Sequence, residues 1–221
     1  GRHHRCQNAA STVQAVEVAS ETKAEVPDAQ SIGNRLQISA LGGIGDYPSL
    51  GNVKGVYSAG VTVGLEFADP FVVEGGLLFS SFDVQPVNPY NPYVNGFYYP
   101  EIKSMDQTNF FGGLKYIFLE DTIRPNIGAL VGYTRRVYRD RQYYAPSPEI
   151  TSNAFDAGLS TGLDIRLSKN FSAGFDLRYL FNLSYRVNGA PQTSIINPSQ
   201  FNRPIEEYSY YLVTIGGRFT F

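Results

Sequence analysis

Along residues 57–67 the chain alternates without a break. Tyr57, Ala59, Val61, Val63, Leu65 and Phe67 take one parity, and Ser58, Gly60, Thr62, Gly64 and Glu66 take the other. A period of two over this length specifies a β-strand with one apolar face. The pattern recurs at 155–167, where Phe155, Ala157, Leu159, Leu163, Ile165 and Leu167 oppose Asp156, Gly158, Ser160, Gly162, Asp164 and Arg166. It recurs again at 171–181, where Phe171, Phe175, Leu177, Tyr179 and Phe181 oppose Ser172, Gly174, Asp176 and Arg178. Weaker copies lie near 35–45, 71–82, 108–118, 122–134 and 208–221, which brings the expected number of strands to eight. Pro125 falls near the start of its strand, where a missing backbone donor is tolerable.

The connections alternate in length. Residues 68–70, 119–121 and 168–170 read as tight turns, whereas 46–55, 84–107, 136–153 and 183–206 are long and rich in Pro, Asn, Tyr and Ser. An up-and-down antiparallel meander puts the tight turns at one end and the long loops at the other. Residues 1–34 contain no aromatic side chain and are rich in Ala, Gln, Ser, Thr and Glu. They read as an extended N-terminal arm, separate from a β-domain over 35–221.

Composition decides which solvent the apolar faces meet. The chain has 221 residues, of which 14% are aromatic and only 17% charged. Its mean hydropathy is −0.20, and it contains no apolar run long enough for a helical membrane span. The net charge of −2 argues against nucleic acid as a partner. A soluble barrel also alternates, but its outer face must be wetted by Lys, Glu and Arg. Here the polar parity is mostly Gly, Ser and Thr, which suits a crowded lumen. The apolar parity carries no Asp, Glu, Lys or Arg, as a lipid-facing surface requires, since a basic residue at the bilayer midplane costs about 2–4 kcal/mol. Lipid also demands closure, because only a closed sheet leaves no unpaired edge. The expected fold is therefore all-β: an eight-stranded antiparallel transmembrane barrel with an N-terminal arm. Aromatic residues gather near strand ends, with Phe67, Phe71, Phe118, Phe171 and Phe219 toward the tight turns. Phe79, Phe110, Tyr133, Phe155 and Phe181 lie toward the loops.

The segment from Tyr210 to Phe221 alternates and ends on Phe219 and Phe221. It resembles the C-terminal strand of bacterial outer-membrane proteins, whose terminal aromatic is read by the barrel-insertion machinery. Strand number and turn asymmetry resemble the small eight-stranded group that includes the outer membrane protein A transmembrane domain and its X and W relatives. The resemblance covers residues 35–221. It implies the outer membrane of a diderm bacterium, periplasmic tight turns and termini, long loops outside, and a signal peptide already removed ahead of Gly1.

In such a barrel Glu66, Glu74, Lys115, Arg124, Asp164, Arg166 and Arg218 point inward near the tight-turn end, with Asp156, Asp176 and Arg178 higher. Opposite charges in a narrow lumen are expected to pair into a plug. A charged constriction that selects ions is the competing reading. Catalysis is not expected. His3, His4 and Cys6 all precede the barrel, so no serine there has a histidine base to activate it. No phosphate-binding glycine loop, nucleotide motif or metal-ligand spacing implies a cofactor, and a single cysteine excludes an internal disulfide.

Function then falls to exposed segments. Residues 83–100 hold four Pro and four Tyr, a rigid and adhesive composition. Arg135, Arg136, Arg139 and Arg141 stand among tyrosines in the next long connection, where guanidinium groups suit lipopolysaccharide phosphates. The arm, about 34 residues with a reach on the order of 100 Å, suits a periplasmic or envelope protein partner. The expected role is a non-enzymatic anchor and interaction protein. A narrow solute channel and a surface adhesin remain as alternatives.

Overall fold

A computed structural model describes residues 35–86, 93–94, 97–98, 101–118, 122–140, 150–188 and 204–221. The arm over 1–34 lies outside the described residues.

Eight long strands close into one antiparallel barrel: β1 (Arg35–Asp46), β2 (Val53–Ala68), β3 (Phe71–Val84), β6 (Ile102–Ile117), β7 (Ile123–Asp140), β8 (Ile150–Arg166), β9 (Phe171–Asn188) and β10 (Tyr210–Thr220). Two further pieces, β4 (Tyr93–Val94) and β5 (Phe97–Tyr98), form a small hairpin between β3 and β6. Around the barrel each long strand pairs with its neighbours in the chain, and β1 pairs with β10 to complete the ring. A 3-10 turn, Ile205–Glu207, precedes β10.

The strands outrun the apolar alternation that reveals them. β6 begins at Ile102, β7 continues to Asp140, β8 begins at Ile150 and β9 continues to Asn188. In these extensions, at the loop end, outward positions are polar as well: Asp106, Thr108, Arg135 and Asn153 take the places that Phe110, Val131 and Leu159 take lower down. The hydrogen-bonded ladder continues where the hydrophobic signal stops, so the connections are shorter than the sequence suggests. The link between β1 and β2 shrinks likewise to a turn closed by Leu50 N–H donating to the Tyr47 carbonyl at 2.9 Å.

Alternation assigns the two faces in the ladder's core. Val61, Val63, Val131, Leu159 and Ile215 are exposed on the outer wall, while Ser58, Thr62, Asn126, Ser160 and Thr214 are buried inside. The outer wall is a continuous apolar belt with aromatic rims. At the turn end Phe67, Phe71, Tyr116 and Phe118 touch in sequence, with ring centroids 6.5, 5.3 and 5.2 Å apart. At the loop end Tyr133 meets Phe155 at 6.2 Å. Such a belt has lipid as its solvent.

The lumen is filled, as expected for eight strands. Its loop-end half is mainly apolar and aromatic, with Tyr47, Leu78, Phe82, Met105, Leu130, Tyr138, Leu180, Ile205, Tyr210 and Leu212 in one buried cluster. Its turn-end half is ionic. Glycine makes room there: a Cβ on Gly162 would come within 2.8 Å of an Asp176 carboxylate oxygen. Gly174 clears the Asp164 carboxylate in the same way.

Candidate functional site

In the turn-end half of the lumen, inward parity on seven strands delivers Glu66, Glu74, Lys115, Arg124, Asp164, Asp176, Arg178 and Arg218 to one region. Four carboxylates thus face four cations. Glu74, on β3, is the hub. Its two carboxylate oxygens lie 3.0 Å from Lys115 Nζ, 3.1 Å from Arg178 Nη2 and 4.0 Å from Arg218 Nη2. Asp176 takes Lys115 at 3.1 Å and Arg178 at 3.5 Å. Arg218 closes on Asp164 and donates from Nε to Ser39 Oγ at 3.2 Å. Nearer the turns, Arg124 Nη2 reaches Glu66 Oε1 at 2.7 Å, and Gln37 donates to the same oxygen at 2.9 Å. Arg178 also stacks over the Phe111 ring, 4.5 Å from its centroid, which holds the cation by its aromatic face. Arg166 stands apart. It is half-buried, and its guanidinium joins none of these pairs. A cavity of about 10 Å³ beside Asp164, Asp176 and Arg218 has room for about one water.

Above this bed sits a second polar cluster, wrapped by the apolar half. Arg136 Nε donates to Gln107 Oε1 at 3.0 Å and to Tyr47 Oη at 3.2 Å. Its Nη2 stands 3.8 Å from Asp156. Asp156 accepts hydrogen bonds from Thr134, from Tyr210 Oη at 2.9 Å and from Asn182 at 3.1 Å. Asn109 joins Gln107, Thr134 and Tyr210 within 3.0 Å. Burial pushes the Tyr47 phenol up to about 12, outweighing the nearby Arg136 that pulls it down.

Arg136 corrects an expectation. Grouped with the loop arginines as a lipopolysaccharide contact, it has 0% exposure and lies inside the barrel. The reason is parity: β7 runs on through residues 135–140 as a strand, so Arg135 and Arg139 point out while Arg136 and Tyr138 point in. Arg135 sits on the outer wall in register between Thr108 and Asn153, two residues beyond Tyr133 of the aromatic rim. Arg139 pairs with Asp106 at 2.7 Å in the open. Arg141 lies outside the described residues. At the seam Phe219 and Phe221 face outward with ring centroids 4.9 Å apart. Phe221 N–H donates to the Leu36 carbonyl at 2.9 Å.

The apolar half of the lumen and the Arg136–Asp156 cluster are absent from the sequence-based reading. Strict parity would have found them, since Leu78, Phe82, Leu130, Leu180 and Leu212 all fall on the inward parity of their strands. Among the described residues no group of three or more His, Cys, Asp or Glu is placed to hold a metal ion.

Comparison with known proteins places the architecture. The crystal structure of Neisserial surface protein A matches with a TM-score of 0.52 and 15% identity, covering 86% of this chain and 97% of that one. The outer membrane protein OprG from Pseudomonas aeruginosa matches with a TM-score of 0.51 and 14% identity, covering 85% and 96%. Identities this low show a shared fold alone. No curated protein matches the chain. The family model described as the outer membrane protein beta-barrel domain matches residues 13–202. The closed eight-stranded barrel, its apolar belt and this match agree: the chain belongs to the outer membrane protein β-barrel domain family.

Proposed function

We propose that this barrel is a non-enzymatic anchor and interaction protein of the outer membrane, working through surfaces outside its lumen. One observation carries the reading: the turn-end lumen is packed with matched charges, four against four, whose side chains are almost entirely buried. A conducting constriction needs water and mobile counter-ions beside its charges. A bed in which Glu74 binds Lys115, Arg178 and Arg218 at once leaves little space for either. Enzymatic chemistry has no histidine or cysteine to draw on within the barrel.

In this reading the tight turns and both termini are periplasmic, and the long loops face outward. Phe219 and Phe221 form the signal read by the insertion machinery. Arg135 and Arg139, projecting beyond the aromatic rim at Tyr133 and Phe155, contact lipopolysaccharide phosphates in the outer leaflet. Residues 1–34 tether the barrel to a periplasmic or envelope partner.

Two measurements test this. In planar bilayers the purified protein is expected to give no stable single-channel conductance. A sizeable conductance that changes in Arg124→Ala overturns the anchor reading in favour of a channel. Pull-down from envelopes with and without residues 1–34 tests the tether. If the deletion changes no co-purifying protein, the arm has no such role.

A further inference from the structure

We infer that the 3-10 turn Ile205–Glu207 is a latched plug, able to leave the loop-end mouth of the barrel without opening a path through it. Three features converge. First, the turn is buried inside the mouth although it belongs to no strand. Ile205 and Glu206 are both 0% exposed, and Ile205 packs in the cluster with Tyr47, Phe82, Met105 and Leu212. The backbone bonds that define it are internal, Glu207 N–H to the Pro204 carbonyl and Tyr208 N–H to the Ile205 carbonyl, each 3.0 Å. Nothing in the ladder has to break for it to move.

Second, two adjacent carboxylates clip the turn to the wall from opposite sides. Glu206 accepts a hydrogen bond from Tyr138 Oη inside the barrel. Glu207 accepts one from Tyr185 Oη, at 3.0 Å, on the exposed rim of β9. Third, the closed arrangement leaves polar atoms unmatched in its interior. Glu206 Oε2, Arg136 Nη1 and Arg136 Nη2 are buried without a hydrogen-bond partner among the described residues. Each unmade bond on a charged group weakens the closed state, and withdrawal of the plug would let water reach all three. The turn-end lumen has no share in this. The Glu74 hub stays paired, so the opened mouth is a blind cup floored by Arg136 and Asp156.

The test is thiol accessibility in outer-membrane preparations, with Cys6→Ser removing the native thiol. Single cysteines replace Met105 in the cup wall, Ile205 on the plug, or Ser160 in the ionic half. When opening and closing are faster than labelling, the rate reports the open population. Against these backgrounds Tyr138→Phe is expected to speed labelling at positions 105 and 205 together by about tenfold, the effect of one charge-assisted hydrogen bond. Tyr185→Phe, at the exposed clip, is expected to give a smaller rise. Position 160 stays protected throughout, and bilayer conductance stays absent. Unchanged labelling at 105 and 205 overturns the latch. Equal acceleration at 160 overturns it too, because the whole barrel is then loosening. Conductance that appears with labelling at 105 and 205 overturns the blind cup. Conductance in the unaltered protein overturns the blind cup and the anchor reading together, and unchanged labelling without conductance overturns the latch alone.

Discussion

The two halves of the lumen solve one packing problem with opposite chemistry. Toward the tight turns, inward positions carry charges paired within 4.0 Å, spaced by glycines. Toward the loops, inward positions carry Leu, Phe, Met and Tyr around one buried Arg136–Asp156 pair. The ionic half gains geometric definition at the cost of desolvating eight charges. The apolar half gains burial with few directional demands. The ionic half should therefore fail sharply when one partner is lost, and the apolar half in proportion to the volume removed.

The largest expected effect comes from breaking the hub. Glu74→Ala leaves Lys115, Arg178 and Arg218 sharing Asp176 and Asp164. It should cost about 3–5 kcal/mol, as removal of one partner from a buried ion cluster does. Urea unfolding in lipid vesicles, followed by heat-modifiable gel migration, measures it. Leu212→Ala in the apolar half should cost about 2–4 kcal/mol by cavity formation, read in the same titration, with no change in its salt dependence. Val131→Arg tests the outer wall. It places a cation in the lipid belt and should cost about 2–4 kcal/mol, in lipid but not in detergent refolding. The smallest effect belongs to Arg139→Ala, which removes an exposed pair with Asp106 and should cost under about 1 kcal/mol. If that variant nevertheless loses retention of lipopolysaccharide on a native gel, the arginine acts on lipid and contributes little to the barrel itself. Should Glu74→Ala prove no worse than Leu212→Ala, the contrast between the halves fails.

How much of this was legible in the sequence depends on height in the barrel. Around the belt, lipid forces the outward parity to be apolar, and Val61, Leu159 and Phe175 announce their strands. Beyond the belt water wets the outward parity, and buried Gln107, Arg136 and Ser152 make the inward one polar too, so Asp106, Thr108 and Arg135 look like loop residues although their backbones are paired. That masking hid the inward turn of Arg136. The turn-end charges were legible because Glu, Asp, Lys and Arg stand out among Gly and Ser. Their partners were not, since Glu74 meets Arg178 across 104 residues of chain and alternation gives no register between distant strands. Arg166 shows the same limit: its parity is inward, but its height keeps it clear of the network.

The seam between β1 and β10 gives the barrel a built-in check on completion. Arg218, on the last strand, bonds to Ser39 on the first, 179 residues earlier. It is also one of the four cations of the ionic bed. Until β10 arrives, four carboxylates face three cations, and the ionic bed of the unfinished sheet carries one unbalanced negative charge. A partly assembled barrel is thus least at ease in lipid while its edge is still open. The strand that seals the edge also brings the missing charge, so closure and neutrality come in one event.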